Sequence, residues 1–293
     1  AHAGNFQRRA GAALKPPASD LSRRINGERI LLLAWMRAIL LQLAHPLIAA
    51  SVAEHSTFRG STRAAFSRLR ETVGAMLAIS FGTPDEHQRA IEAIRSIHRR
   101  VHGTLRQARG AFPAGTTYSA EDSDLLIWVH ATLIESIVLA YDRLVEPLPP
   151  AARDRYCLES AAVVIELGAR ADTVPLSWAA IDEYLRGMYA SGRIGVAEDA
   201  RSLAGGLLCP FGNMIGRRIV APMLSLLAAG QLPESVRADY GFQWTHRQAA
   251  RFRRLMQVLR ILRRLTPAGI ALWKAARSSD CFPARRGYSA VTG

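Results

Sequence analysis

The stretch from Phe81 to Thr132 reads FGTPDEHQRAIEAIRSIHRRVHGTLRQARGAFPAGTTYSAEDSDLLIWVHAT. It contains two helix-forming segments of different character. Thr83-Pro84-Asp85-Glu86 is a helix start, with Thr as N-cap, Pro in the first turn and Glu placed for a capping box. Gly103 is the predicted stop. At ~100° per residue, Ile91, Ile94, Ile97, His98, Val101 and Leu105 share one arc, and His102 lies at its edge beside Arg95. Ser119, followed three positions later by Asp122, opens a longer apolar helix. There His130 sits amid Leu126, Val129, Leu133, Ile134 and Ile137. A neutral imidazole directed into an apolar interior is suited to be an axial ligand of a metal or haem, because a dry pocket holds a flat apolar macrocycle. The alternative is a core histidine satisfied by a backbone carbonyl. The residues by themselves leave both readings open.

Working outward, the chain has 293 residues, 49% of them hydrophobic and 7% aromatic. Long leucine- and alanine-rich runs outweigh β-branched alternation, so an all-α protein is expected, built as a single globular helical domain. Net charge is +14, almost all of the positive charge being arginine, since Lys15 and Lys274 are the only lysines. That balance suits nucleic acid, an anionic membrane surface or haem propionates. Cys157, Cys209 and Cys281 have no metal-like spacing and leave an odd one over, which argues for a reducing compartment and no disulfide framework.

Residues 1–20 are polar, with no apolar signal core, and read as a flexible arm. Residues 21–277 form the helical domain and 278–293 a frayed tail. The nearest approach to a membrane span is Ile30–Ala53, interrupted by Arg37, Gln42, His45 and Pro46. It reads as a helix buried in protein and broken at His45-Pro46, where proline cannot continue the hydrogen-bond ladder. His45 is expected to cap a carbonyl freed there, and His87 to be solvated. Helical patterns run 28–45, 47–56, 62–80, 84–102, 119–145, 150–169, 177–191 and 196–207, then more loosely over 212–230, and finally 245–265 and 267–277. The expected location is cytoplasmic, with peripheral membrane association as an open variant.

Dinucleotide, P-loop, nucleophile-elbow and HExxH motifs are absent. The Glu-x-x-His pairs of a di-iron bundle are missing too. His98 and His102 form a single i, i+4 pair beside Arg95, Arg99 and Arg100, a poor setting for a dication.

The runs LLQLAHPLIAASVAEHSTFRG, RLRETVGAMLAISFGTPDE, IRSIHRRVHGT, YSAEDSDLLIWVHATL and LPESVRADYGFQWTHRQ resemble a bacterial family. That family groups with the mycophenolic-acid-pathway oxygenase MpaB and with rubber oxygenase, the latex-clearing protein. The resemblance covers Glu28 to Arg277. It implies a globin-like core binding haem b through one histidine, and oxygen chemistry on the opposite face. His98 matches the axial position. Arg68 and Thr72 match an arginine and a threonine over the distal face, whereas Glu71 replaces a lysine that can cap the iron. Glu54 matches a pocket glutamate proposed as a base, and His130 is a candidate for bonding oxygen or substrate. Apart from the family, Thr72 reads as a helix threonine bonding its own backbone, and Arg68 as one half of a surface ion pair.

In the run THRQAARFRRLMQVLRILRRL, Leu255, Val258, Leu259 and Leu262 make an apolar stripe against Arg251, Arg254, Arg263 and Arg264. Such a helix lies on an anionic membrane or presents a solvated outer face. Nucleic acid is excluded as a partner, because no reader fold or stacking motif accompanies the charge. The expected function is that of a haem b-dependent oxygenase or oxidase acting on a small apolar, alkene or isoprenoid-like substrate with dioxygen or peroxide. The competing class is a haem carrier or lipid-binding helical protein.

Overall fold

A computed structural model describes residues 20–55, 62–209 and 216–277, with the backbone alone for 62–69 and 217. Within these residues the chain is helical apart from one two-stranded hairpin. The sequence-predicted arm and tail, Asp20 apart, lie outside the described residues.

The organising element is helix α6, Ser123–Leu144; the five before it are α1 Asp20–Asn26, α2 Leu32–Leu43, α3 Pro46–His55, α4 Thr62–Phe81 and α5 Pro84–Arg100. Residues from Leu125 to Leu144 are buried on nearly every side of α6, as expected of a helix apolar all round. By length and composition it could cross a membrane, yet 67% of its apolar window is buried inside the protein. It packs along α2, and against α7 (Pro150–Glu166), α8 (Trp178–Ala190) and α12 (His246–Leu265). Its N-cap is Asp122, which accepts from the Asp124 amide at 2.8 Å. Ser119, the expected start, instead ends a strand and accepts from the Glu121 amide.

The break at His45-Pro46 is present. Arg29–Leu43 and Pro46–His55 meet at 102°. The Ala44 carbonyl at the corner accepts from the Gly195 amide at 2.9 Å. A helical hairpin, α4 with α5, follows, and Thr83 and Glu86 form the predicted capping box. Gly82 is needed at that turn, since a Cβ there would lie 2.5 Å from the Ala78 carbonyl oxygen.

Helix α5 stops at Arg100, two residues before its predicted end. His102 lies in strand β1 (His102–Thr104), paired antiparallel with β2 (Thr117–Ser119) in the register His102↔Ser119, Gly103↔Tyr118. Gly103 is thus a strand residue over which the Tyr118 ring lies, and a Cβ at Gly103 would meet the phenol oxygen at 2.5 Å. It is not a helix stop.

The remaining helices are α9 Glu198–Leu208, α10 Ala221–Gln231, preceded by a π-helical turn Gly216–Val220, then α11 Glu234–Asp239, α13 Ala268–Ala271 and α14 Lys274–Arg277. One buried cluster runs from Ile25 on α1 to Met256 on α12. Two buried ion pairs close the structure. Arg37 on α2 donates to the Gln231 carbonyl (2.8 Å) and Ser136 Oγ (2.7 Å), and pairs with Glu135 at 2.7 Å. Arg263 on α12 makes a two-pronged pair with Glu28, tying the last long helix to the start of the fold. Every arm of these guanidinium groups that is named has an oxygen to meet, the condition for burying charge.

Candidate functional site

The end of α3, strand β2 and the end of α5 carry most of the polar groups that the sequence singles out. Tyr118 on β2 is buried among Leu47, Ala50, Leu105 and Leu125. Its hydroxyl donates to Glu54 Oε2 at 2.5 Å. The His55 Nε2 lies 3.4 Å from the same hydroxyl, the two rings meeting edge to face at 78°. Burial, and then the hydrogen bond to Glu54, push the Tyr118 phenol above its ordinary range. Glu54 itself is exposed, so the pair joins a buried phenol to a solvent-accessible carboxylate. Glu54 is marked by the family resemblance, whereas Tyr118 carries only a faint signal in the sequence. The signal was the short β-prone run Thr-Tyr-Ser between Gly115 and the Asp122 cap.

His98 occupies the last two turns of α5, one turn beyond Ile94 on the line of the buried Ile91. It is half-buried, and its Nδ1 is buried without a hydrogen-bond partner. Burial lowers its pKa, and the Glu121 carboxylate partly opposes that shift, so the setting favours the neutral ring. The Ala120 amide donates to the Val101 carbonyl at 2.8 Å, fastening the end of α5 to the residue beside Glu121. The predicted six-residue arc survives only in part. Ile97 is 50% exposed, and Val101 and Leu105 leave the helical phase once α5 ends.

The other predicted site residues are dispersed or lie outside the described side chains. Thr72 on α4 is exposed, as is Glu71. The Arg68 side chain is outside the described set. Met76, one turn beyond Thr72, lines a cavity of about 30 Å³ with Trp35, Ile137 and Trp273. His130 is buried on α6 with Nε2 unpartnered, and burial lowers its pKa to about 4. Among the described residues no hydrogen bond or ring contact joins His98 to Glu54 or His130. Among the described residues no group of three or more His, Cys, Asp and Glu side chains is placed to hold a bare metal ion.

Two histidines behave differently from expectation. His45 caps no carbonyl. It is fully buried with both ring nitrogens unpartnered, its ring centroid 5.3 Å from Phe112 and 6.4 Å from Trp128. Burial first, then the Arg193 charge, lower its pKa to about 4 against the opposing Asp122. The carbonyl that Pro46 leaves without its i−4 donor, that of Gln42, accepts from the His45 backbone amide at 3.1 Å instead of from the ring. His87 is not simply solvated, since its Nδ1 meets the Ile79 carbonyl at 3.0 Å and its Nε2 the Glu166 carboxylate at 2.6 Å. It ties α5 to α4 and α7.

Residues 23–261 match the family described as "ER-bound oxygenase mpaB/B'/Rubber oxygenase, catalytic domain". The matched span includes Glu54, Arg68, Thr72, His98 and His130. The chain is also similar to two uncharacterized proteins, Rv2237 of Mycobacterium tuberculosis and Mb2261 of Mycobacterium bovis. Each is 28% identical over 259 residues, covering 86% of this chain and 97% of the relative. No solved structure matches the chain.

Proposed function

The chain belongs to the mpaB/rubber oxygenase catalytic-domain family, and from that premise we propose that it is a haem b-dependent oxygenase acting on a small apolar substrate. The observation that carries the reading is His98. It combines a neutral imidazole, a partly dry setting and a buried unpartnered nitrogen, the chemistry wanted of an axial ligand. A bare-metal site needs several protein ligands, whereas iron already held by a macrocycle needs one, so the absence of a three-residue cluster among the described residues does not count against His98. Bound haem supplies the redox-active iron for oxidation of the substrate by dioxygen or peroxide.

In this reading His98 holds the cofactor, and Arg68 and Thr72 orient the oxidant or substrate. His130 contributes a neutral, unpartnered nitrogen toward substrate or oxidant. Glu54 moves a proton, and Tyr118 positions it, because a carboxylate held by a phenol hydroxyl keeps one oxygen fixed and the other open to solvent. The exposed Glu71 offers no amine from its position, so this residue would not hold haem iron. The apolar, alkene or isoprenoid-like substrate of this reading is suggested by the rubber oxygenase that the family's description names.

The visible spectrum of the purified protein tests the reading. A high-spin Soret band at one haem per chain, with oxygen uptake on adding alkene substrates, is expected. Protein that takes up no haem when reconstituted, or takes it up without substrate-dependent oxidation, refutes respectively the cofactor and the enzyme.

A further inference from the structure

Helix α12 is apolar on two opposite sides, and only one of them meets the core. Phe252, Leu255, Met256 and Leu259 face inward, and Arg263 on the same side is consumed by Glu28. Val258, Ile261, Leu262 and Leu265, spaced i, i+3, i+4, i+7, are 50%, 55%, 54% and 74% exposed. The stripe predicted from sequence is therefore split, with Leu255 and Leu259 turned in and Val258 and Leu262 turned out. Arg247, Arg251 and Arg254 occupy the same outward face in the preceding turns, and Arg264 flanks it. All four are exposed, and none makes an ion pair among the described residues. The helix carries no acidic residue. Beside Arg251 a groove of about 490 Å³ opens between α10 and α12, walled by Met223, Leu226 and Trp244.

We propose that this outward face of α12, with the adjoining groove, docks on an anionic lipid bilayer. Exposed aliphatic side chains in one line, bordered by unpaired arginines, match the two layers of a membrane surface: the apolar residues reach the acyl boundary while the guanidinium groups meet lipid phosphates. Trp244, with Arg237 stacked over its ring at 4.7 Å, has the amphipathic character of an interfacial residue. A second copy of the chain fits poorly, because a two-fold contact through this face would set arginine against arginine with no carboxylate to separate them. A nucleic acid would satisfy the charge but leave the aliphatic stripe wet. The inference is independent of the haem reading.

The test is co-sedimentation of the full chain with vesicles of phosphatidylcholine alone and with added phosphatidylserine. Partitioning at least about tenfold higher onto the anionic vesicles, weakened by salt, is expected. Leu262→Asn with Leu265→Asn, and separately Arg251→Gln with Arg254→Gln, should each lower that partitioning about tenfold. Circular dichroism and melting temperature should stay unchanged, because these side chains face outward. Equal binding to both vesicle types, or wild-type binding by both variants, overturns the proposal. So does a dimer in analytical ultracentrifugation that Leu262→Asn with Leu265→Asn dissociates, which would give the face to a second copy.

Discussion

Tyr118 and Glu54, 64 residues apart, are joined by a 2.5 Å hydrogen bond from a buried phenol to an exposed carboxylate. The bond links β2 to the end of α3, and it depends on Gly103, whose missing side chain leaves room for the Tyr118 ring. A local choice of strand in place of helix thus decides where a candidate catalytic carboxylate is held.

The Tyr118–Glu54 pair should therefore be energetically coupled. Tyr118→Phe and Glu54→Gln, combined in a double-mutant cycle by urea unfolding, should show a coupling of about 1 kcal/mol, reduced from the buried value by solvent at Glu54. Gly103→Ala should displace Tyr118 and lower stability by a similar or larger amount. Additive effects of the two single substitutions would show that the hydrogen bond contributes nothing.

Stability should fall in mild acid. His45 and His130 are buried with pKa values lowered to about 4, while in the unfolded chain they titrate near ~6.5. Below that value the unfolded chain binds protons that the folded chain cannot. Stability is then lost progressively as pH falls from about 6.5 to about 4, by at most about 3 kcal/mol for each histidine. Above about 6.5 neither contributes. Urea midpoints measured across this window, compared with those of a His45→Phe, His130→Leu double variant, check it. Wild type and variant losing stability in parallel would contradict it.

His45→Phe at pH 7 should be neutral or stabilising. The ring lies between Phe112 and Trp128 and neither nitrogen has a hydrogen-bond partner, so no bond is lost and a desolvated polar group is removed. A loss above about 2 kcal/mol would mean that the imidazole has a bound partner.

Arg37→Met should cost about 3–5 kcal/mol, because it strips the partner from Glu135 and leaves the Gln231 carbonyl and Ser136 hydroxyl without their donor. Arg186→Met, on an exposed i, i+4 pair with Asp182, should cost under about 1 kcal/mol. Thermal or urea unfolding of the two variants distinguishes a buried from a solvated pair.

Local signals were read well from the chain. The capping box at Thr83, the break at His45-Pro46 and the apolar character of the helix carrying His130 depend on residues close in sequence, and all three stand. What failed depends on distant partners. The β1–β2 hairpin interrupts a run whose helical periodicity continues to Leu105, because pairing with Thr117–Ser119 outweighs propensity over three residues. Arg263 read as one more exposed arginine until Glu28, 235 residues away, was found against it. Glu166 does the same for His87. Of the candidate site, His98 was legible as a histidine on an apolar line. Tyr118, an aromatic in a three-residue strand, was not.

The role of His98 in holding haem is tested by haem titration of three chains followed at the Soret band: wild type, His98→Ala and His102→Ala. His102 is exposed on β1 with its Nδ1 against the Arg99 carbonyl, so it serves as a control close in sequence and outside the apolar line. One haem per chain is expected for wild type and His102→Ala, and loss of stoichiometric binding for His98→Ala with the helical circular dichroism retained. A normal Soret band in His98→Ala, with loss in His102→Ala or in a matching His130→Ala, would contradict it.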